Sequence, residues 1–262
     1  MKKSLQDEIS ALFESVPGKT GFYYKNLSTG ETLSRNPELP LMAASVIKIP
    51  VLTEVFARME AGEANPEETY VIREEDKLPS CGALNYMHTG LQVTLRDLYT
   101  LMIILSDNTA TNILLKKFGM EAVNQRMRQL GLTVTTVNRL LFDSAAAAQG
   151  KENYISAGEI GLLLEQMARG TLISKRASEE MIQILKNQRL NGKMPFYFTG
   201  EVKIAHKTGE DDGITHDVGI VFAPQPFVVC FCSNETDVPA FERVIQKTTK
   251  LLYDDQVSQG TH

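Results

Sequence analysis

The chain has 262 residues, of which 43% are hydrophobic and 23% charged, a composition ample for one large core or two interlocked lobes. A net charge of −5 excludes the basic footprint of a nucleic-acid-binding protein. The four histidines are scattered, and the three cysteines form neither a C-x-x-C pair nor a disulfide framework, so we expect no metal and no cofactor.

The N-terminus carries an amphipathic pattern. Leu5, Ile9, Leu12 and Phe13 recur at helical spacing, which predicts a short helix over about residues 3–15. No apolar stretch here is typical of a signal peptide, and none along the chain is long enough to span a membrane. We therefore expect a cytoplasmic protein as the chain stands, or a secreted one if a leader was removed. Reduced cysteines favour the cytoplasmic location.

The remaining elements follow in a simple order. Two strands are predicted over 20–26 and 31–35, a helical stretch over about 45–190, three strands over about 200–233, and a last helix over 239–253. We expect an α/β (α+β) fold in which a five-stranded antiparallel sheet is flanked by the terminal helices. Residues 1–42 and 195–262 would form this lobe, and residues 43–194 an all-helical lobe, in one interlocked unit.

Ser45 and Lys48 stand at the start of a predicted helix. Pro50 is tolerated there because the first-turn N–H groups lack partners anyway. Residues three apart share a helix face, so the Lys48 amine can reach the Ser45 hydroxyl. A partly desolvated lysine has a lowered pKa and could serve as the base that a serine nucleophile needs. The alternative is a surface serine beside a solvated lysine.

Two further polar motifs interrupt apolar runs. Residues 106–108, S-D-N, follow a run that is apolar all round and predicts a buried helix. By themselves these residues favour a helix cap. Residues 207–209, K-T-G, follow an alternating stretch that predicts a strand, and taken alone they are consistent with a strand end and a turn glycine.

The three motifs S-x-x-K, S-D-N and K-T-G occur together, in this order and with wide gaps. In this combination the chain resembles the serine β-lactamase and penicillin-binding protein superfamily, class A above all, from about residue 18 to the C-terminal helix. The resemblance implies a β-lactamase/transpeptidase-like fold. It also implies a serine hydrolase without cofactor that opens a small-molecule β-lactam amide through an acyl-serine intermediate, in antibiotic resistance or β-lactam catabolism.

The resemblance also implies catalytic roles. Ser45 would be the nucleophile, Lys48 its activator, and Ser106 the relay of a proton to the leaving nitrogen. Asn108 would bind the substrate amide. Asp107 is more easily explained as a structural residue.

The K-T-G strand would line the cleft. By resemblance, Lys207 supplies positive charge towards a substrate carboxylate and Ser106, and Thr208 hydrogen-bonds that carboxylate. Gly209 leaves room for substrate along the strand edge. The backbone N–H groups of Ser45 and Glu210 would form the oxyanion hole.

Two departures from the class A pattern stand out. No R-x-E-x-x-x-N is present, although Arg139 could fill the place of the arginine. Asp143 is the candidate for the water-orienting carboxylate, with Glu152 second, but Asp143 could equally cap the Ala-rich turn. Nor does the strand that begins at residue 215 carry an arginine for the substrate carboxylate; His216 there is better explained as a strand-end residue.

The first departure puts efficient deacylation in doubt and leaves acylation intact. One alternative is therefore a peptidase or esterase of the same fold with non-β-lactam substrates. Another is a penicillin-binding module that is acylated but turns over slowly. We expect a monomer that takes a small-molecule substrate, with no nucleic acid and no membrane span.

Overall fold

A computed structural model describes residues 3–259; the predictions for residues 1–2 and 260–262 lie outside it. Within that range the strands are β1 (Lys19–Asn26), β2 (Thr32–Arg35), β3 (Leu41–Met42), β4 (Thr69–Val71), β5 (Gln92–Thr94), β6 (Tyr154–Ile155), β7 (Lys203–Asp211), β8 (Ile214–Phe222) and β9 (Phe227–Asn234). The helices are α1 (Lys3–Glu14), α2 (Lys48–Glu60), α3 (Leu95–Ile104), α4 (Asn108–Phe118), α5 (Met120–Gln129), α6 (Ser144–Ala148), α7 (Ala157–Ala168), α8 (Lys175–Lys186) and α9 (Val238–Gln259).

Five strands form one antiparallel sheet in the order β2-β1-β9-β8-β7. The predicted fold class is confirmed. The K-T-G motif lies on the edge strand β7, which pairs with β8 on one side only. An edge strand has unpaired backbone groups on its free side, so it can accept an extended ligand there.

The sheet is covered on both faces, which explains why β8 and β9 are apolar along most of their length. On one face the terminal helices α1 and α9 enclose an aromatic cluster in which Phe22 lies 5.0 Å from Phe13 and 5.3 Å from Phe231 between ring centroids. On the other face Val218, Cys230 and Cys232 pack against the helical segment. The two cysteines share this face as predicted, because strand side chains alternate.

The helical segment surrounds α2, whose residues from Lys48 to Ala57 are all buried. Its local signals are readable in the sequence. Thr94 caps α3 and forms a capping box with Asp97, and Asp107 caps α4. The structure adds two short strand pairs that were not predicted: β4 with β5 inside this segment, and β3, just before the segment, with β6 inside it. Strands of two or three residues are too short to show a periodic pattern.

No helix among residues 3–259 is long and apolar enough to cross a lipid bilayer.

Candidate active site

Ser45 lies on a short 3₁₀ helix, Ala44–Ile47, that leads directly into α2. Ala44 has a φ of +39°, a conformation that is unfavourable for a residue with a side chain. The serine is half-buried at the seam between the sheet and the helical segment. One helical turn later, Lys48 is fully buried, and its Nζ lies 2.9 Å from the Ser45 Oγ. The predicted contact between the two side chains is therefore present.

The Lys48 amine is surrounded by oxygen atoms. Besides Ser45, it donates to the carbonyl of Ser106 (2.7 Å) and contacts the Ser106 Oγ (2.9 Å) and the Asn108 Oδ1 (2.9 Å). Burial lowers its pKa well below the usual lysine value, and the neighbouring charge of Lys207 lowers it further. A lysine with a depressed pKa is neutral more often, and a neutral amine can accept a proton from a serine.

Ser106 occupies the connection between α3 and α4 in a left-handed conformation, with a φ of +53°. The next residue holds this connection in place. The buried carboxylate of Asp107 accepts from the amides of Ala110 (2.9 Å), Ala83 (2.7 Å) and Leu84 (2.9 Å). The structural role expected for Asp107 matches this geometry. Surrounding contacts of this kind are what allow a strained backbone to persist at a functional site.

Lys207 approaches Ser106 from the sheet. Its Nζ lies 3.0 Å from the Ser106 Oγ and donates to the Thr208 carbonyl at 2.7 Å. Burial lowers the pKa of Lys207 to about 7, and Asp217 is the strongest opposing influence. One serine hydroxyl thus lies between two buried lysines, an arrangement suited to moving a proton.

Gly209 brings β7 against the nucleophile. A Cβ added there would lie 3.3 Å from the Ser45 nitrogen, 3.2 Å from the Val46 side chain and 3.0 Å from His216. Only a residue without a side chain allows this close approach without a shift of its neighbours. Gly209 thus lies beside the Ser45 backbone, and Ser45 and Glu210 both line the cleft.

An open cleft of about 780 Å³ reaches Ser45, Asn108 and Glu210, whereas Lys48, Ser106 and Lys207 are buried and are not among its lining residues. Its lining residues come from both lobes: Met42, Ala43, Ala44, Ser45, Ser80, Cys81, Asn108, Arg139, Leu141, Phe142, Glu152, Asn153, Glu210, Asp211, Asp212 and Ile214. Within the described residues, no group of three or more His, Cys, Asp or Glu side chains is arranged to hold a metal ion.

A model of the β-lactamase enzyme family matches residues 4–256. The chain belongs to this family. A β-lactamase of Bacillus licheniformis is 24% identical in an alignment 267 positions long, which covers 96% of this chain and 83% of the relative. The crystal structure of a β-lactamase from Sphaerobacter thermophilus has a TM-score of 0.88 and 30% identity, with 98% of each chain covered.

The structure of PBP-A is also similar, with a TM-score of 0.87 and 27% identity over 97% of this chain and 96% of that one. A variant of PBP-A has been solved as an acyl-enzyme complex with penicillin G.

In this β-lactamase-family protein, the loop between α5 and α7 borders the cleft opposite Ser45. Arg139 and Glu152 close it with an ion pair of 2.8 Å. The side chain of Asn112 on α4 holds the backbone of Leu141 at two points, accepting from its N–H and donating to its carbonyl, each at 2.9 Å. Leu141 lines the cleft two residues after Arg139, together with Phe142, and its side chain packs against the hydrophobic core.

Asp143 lies two residues further on. Its carboxylate accepts from the Ala146 amide at 2.9 Å and caps α6. It is absent from the lining of the cleft, whereas Glu152 is present but engaged by Arg139. The structure therefore gives Asp143 the capping contact that was its alternative explanation, and its role in orienting water stays a prediction.

Sequence reasoning missed three residues that shape the site. Asn112 has a readable signal, since it lies one turn after Asn108 on the same helix. His216 and Lys193 have no such signal in the sequence, because their partners are distant along the chain. Lys193 is buried beside the K-T-G strand, where it donates to the His216 carbonyl (3.2 Å) and pairs with Glu210 (3.0 Å).

His216 is a buried connector and not only a strand-end residue. Its Nε2 donates to the carbonyl of Met42 at 2.9 Å, and its Nδ1 accepts from the Ser233 amide at 3.1 Å. One ring nitrogen donates and the other accepts, which fixes the neutral form. Burial lowers the pKa of His216 to about 4. The imidazole thereby ties β8 and β9 to the segment that leads to Ser45.

Proposed function

We propose that the chain is a serine hydrolase of the β-lactamase type that opens a β-lactam amide through an acyl intermediate on Ser45. One observation carries this proposal: the buried Lys48 amine, with its pKa depressed, lies 2.9 Å from both the Ser45 and the Ser106 hydroxyls. Membership of the β-lactamase family supports it. The acyl-enzyme of the PBP-A variant with penicillin G supports the covalent step.

The steps follow from the geometry. Neutral Lys48 takes the proton of Ser45 as its Oγ bonds to the lactam carbonyl carbon. The backbone N–H groups of Ser45 and Glu210 stabilise the oxyanion. Ser106 then gives its hydroxyl proton to the lactam nitrogen and regains one from Lys48 as the C–N bond breaks.

Substrate is held along the edge of β7. By resemblance, Lys207 as a cation and the Thr208 hydroxyl would bind the substrate carboxylate; both residues belong to this edge strand, which packs against Ser45. Asn108, whose Nδ2 donates to the Pro79 carbonyl at 3.1 Å and whose Oδ1 contacts Lys48, is placed to bind the substrate amide. Water finally cleaves the ester on Ser45 and releases the opened product.

One observation favours a second candidate, a penicillin-binding protein that is acylated and turns over slowly. Leu141 and Phe142, which line the cleft directly after Arg139, have no group to activate water. Glu152 is bound by Arg139, and Asp143 caps α6. Both candidates share the acylation step and differ in the lifetime of the acyl-enzyme.

Intact-protein mass spectrometry over time distinguishes them. The protein is mixed with benzylpenicillin or a chromogenic cephalosporin, and we expect a covalent adduct on the wild type that is absent from Ser45→Ala. A Cys81→Ser control is needed because this thiol also lines the cleft. An adduct that clears as product appears supports the hydrolase, and a persistent adduct supports the second candidate. Absence of any adduct would contradict both and favour a peptidase or esterase.

A further inference from the structure

Another buried lysine lies beside the K-T-G strand, apart from the two amines of the mechanism. Lys193 directly precedes the short 3₁₀ helix Met194–Tyr197 and is almost fully buried. Its Nζ donates to the carbonyls of His216 (3.2 Å) and Gly209 (3.4 Å). The same amine pairs with the Glu210 carboxylate at 3.0 Å. The mechanism derived above gives Lys193 no part.

The two carbonyls that Lys193 contacts belong to one cross-strand pair. Gly209 on β7 lies directly opposite His216 on β8. In an antiparallel sheet the carbonyls of such a pair point towards each other's strand when the pair is hydrogen-bonded, and away from it otherwise. One amine can reach both carbonyls only in the first case. The carbonyl of Gly209 therefore faces β8.

The direction of this carbonyl fixes the direction of the next N–H group. A peptide unit is planar, and in its trans form the C=O and the N–H point in opposite directions. The Glu210 N–H belongs to the same peptide unit as the Gly209 carbonyl. It therefore points away from β8, towards the free edge of β7. Lys193 thus holds one end of a peptide unit whose other end faces this edge.

The nucleophile lies against the same stretch of β7. A Cβ added at Gly209 would lie 3.3 Å from the backbone nitrogen of Ser45, and Ser45 and Glu210 both line the cleft. Under the proposed function the N–H groups of these two residues bind the oxyanion. Such a donor is effective when its orientation is fixed before the reaction. A hydrogen bond accepted by the carbonyl also polarises the peptide unit, which strengthens its N–H as a donor.

We propose that Lys193 is a positioning residue for the reaction, whose buried amine fixes and polarises the peptide unit between Gly209 and Glu210 that donates to the oxyanion. The inference rests on the acyl-serine function proposed above. Lys193 acts through this peptide unit and does not touch substrate. The Glu210 carboxylate holds the amine in place, because a buried cation without a partner costs free energy.

Two variants separate this role from a general effect on packing. Lys193→Met keeps an unbranched side chain but has no N–H group to donate to the Gly209 carbonyl. Glu242→Gln is the control, because it removes the charge of a carboxylate 3.9 Å from the Lys193 Nζ and leaves the lysine itself in place. If Lys193→Met does not fold, Lys193→Gln, whose side chain is shorter and polar, replaces it.

The first measurement is acylation by benzylpenicillin, followed by quenched-flow mass spectrometry. It gives the Kd of the non-covalent complex and the rate constant for acylation of Ser45 separately. In Lys193→Met the rate constant is expected to fall about tenfold while Kd stays within about twofold, since the oxyanion forms only after binding. Glu242→Gln is expected to change neither. An unchanged rate constant in Lys193→Met, or a loss that appears in Kd alone, would overturn the inference.

The second measurement is the affinity for phenylboronic acid, which needs no β-lactam turnover. The Ser45 Oγ bonds to boron while its proton passes to Lys48, and one oxygen of the tetrahedral adduct takes the place of the oxyanion. The Kd is expected to rise about tenfold in Lys193→Met and to stay unchanged in Glu242→Gln. Ser45→Ala provides the baseline without the covalent bond.

Equal boronate affinities of the wild type and Lys193→Met, or a wild type that binds no more tightly than Ser45→Ala, would overturn the inference. A wild type that binds the boronate but that no β-lactam acylates would contradict the proposed function. The boronate affinities would in that case still decide on Lys193.

Discussion

Two lysines of the cleft meet at the hydroxyl of Ser106, 2.9 Å from one amine and 3.0 Å from the other. Two adjacent ammonium groups in a buried site repel each other, so the charge of one disfavours the charge of its neighbour. The pKa of Lys48 is lowered by burial and by Lys207, which makes Lys48 the better base. Burial lowers the pKa of Lys207 to about 7, and the charge of Asp217 is the strongest influence in the other direction.

A single side chain also makes stability depend on pH. The folded His216 has its pKa lowered from 6.5 to about 4, whereas the unfolded chain binds the proton near pH 6.5. The stabilisation is therefore complete above pH 6.5 and is lost as the pH falls towards 4, by up to about 3 kcal/mol. Urea unfolding at pH 7 and pH 4.5 is expected to show this loss.

His216→Asn provides the comparison for that prediction, because it removes the titrating ring while the carboxylates that also titrate in this range stay. We expect its free energy of unfolding to fall less between pH 7 and pH 4.5 than that of the wild type. Equal losses in the two proteins would contradict the role given to His216.

At the scale of elements, the loop from Asn138 to Asn153 borders the cleft, and under the proposed function it would control how fast an acyl-enzyme is hydrolysed. The ion pair between Arg139 and Glu152 closes this loop, and two hydrogen bonds with the Asn112 side chain hold the backbone of Leu141 at the cleft. Leu141→Glu would place a carboxylate there and is expected to shorten the lifetime of the penicillin adduct by about a hundredfold, the scale of one general base. The check is the rate of adduct loss by mass spectrometry, with Leu141→Gln as a control of similar size that adds no base.

A substitution in the same loop tests the role of Asp143. Asp143→Asn keeps a side-chain oxygen for the Ala146 amide and so preserves the cap of α6. If the cap is its only role, adduct loss stays within about twofold of the wild type, since a surface change away from the reacting atoms costs little. A slowing of tenfold or more would instead establish the water-orienting role predicted from the sequence.

At the scale of the whole molecule, the sheet and the helical segment share one hydrophobic core. Ile220 and Val218 of β8 belong to the same buried cluster as Leu52 of α2 and Leu163 of α7. Elements that share a core are expected to unfold together. Far-UV circular dichroism and tyrosine fluorescence should therefore give one common urea midpoint.

Tyr24 and Tyr99 report from the two clusters on either side of the sheet, so the fluorescence signal covers both parts. Ile220→Ala creates a cavity in the shared core and is expected to lower the free energy of unfolding by about 2–5 kcal/mol. The urea midpoint should then fall equally in both signals. Two separate transitions would show that the lobes are independent units.

Much of this architecture is local in origin and was therefore predictable. The strand alternation at residues 203–211, the apolar α3 and the caps at Thr94 and Asp107 depend on near neighbours. The i, i+3 spacing of Ser45 and Lys48 likewise brings the two side chains together without help from the rest of the chain. These local patterns do not predict the order of strands in the sheet, because the pairing of β1 with β9 joins residues about two hundred positions apart.

The sequence by itself determined most helices and strands, since periodicity expresses local backbone geometry, and its three motifs indicated the chemical groups of the cleft through their resemblance to a known family. Only the tertiary structure decided which of these groups meet and in which protonation state. Burial, and not residue type, separates Lys48 and Lys207 from surface lysines. Long-range contacts likewise gave Asn112, His216 and Lys193 their places at the site, because a side chain's partners and solvation depend on the folded surroundings and not on its neighbours in the chain.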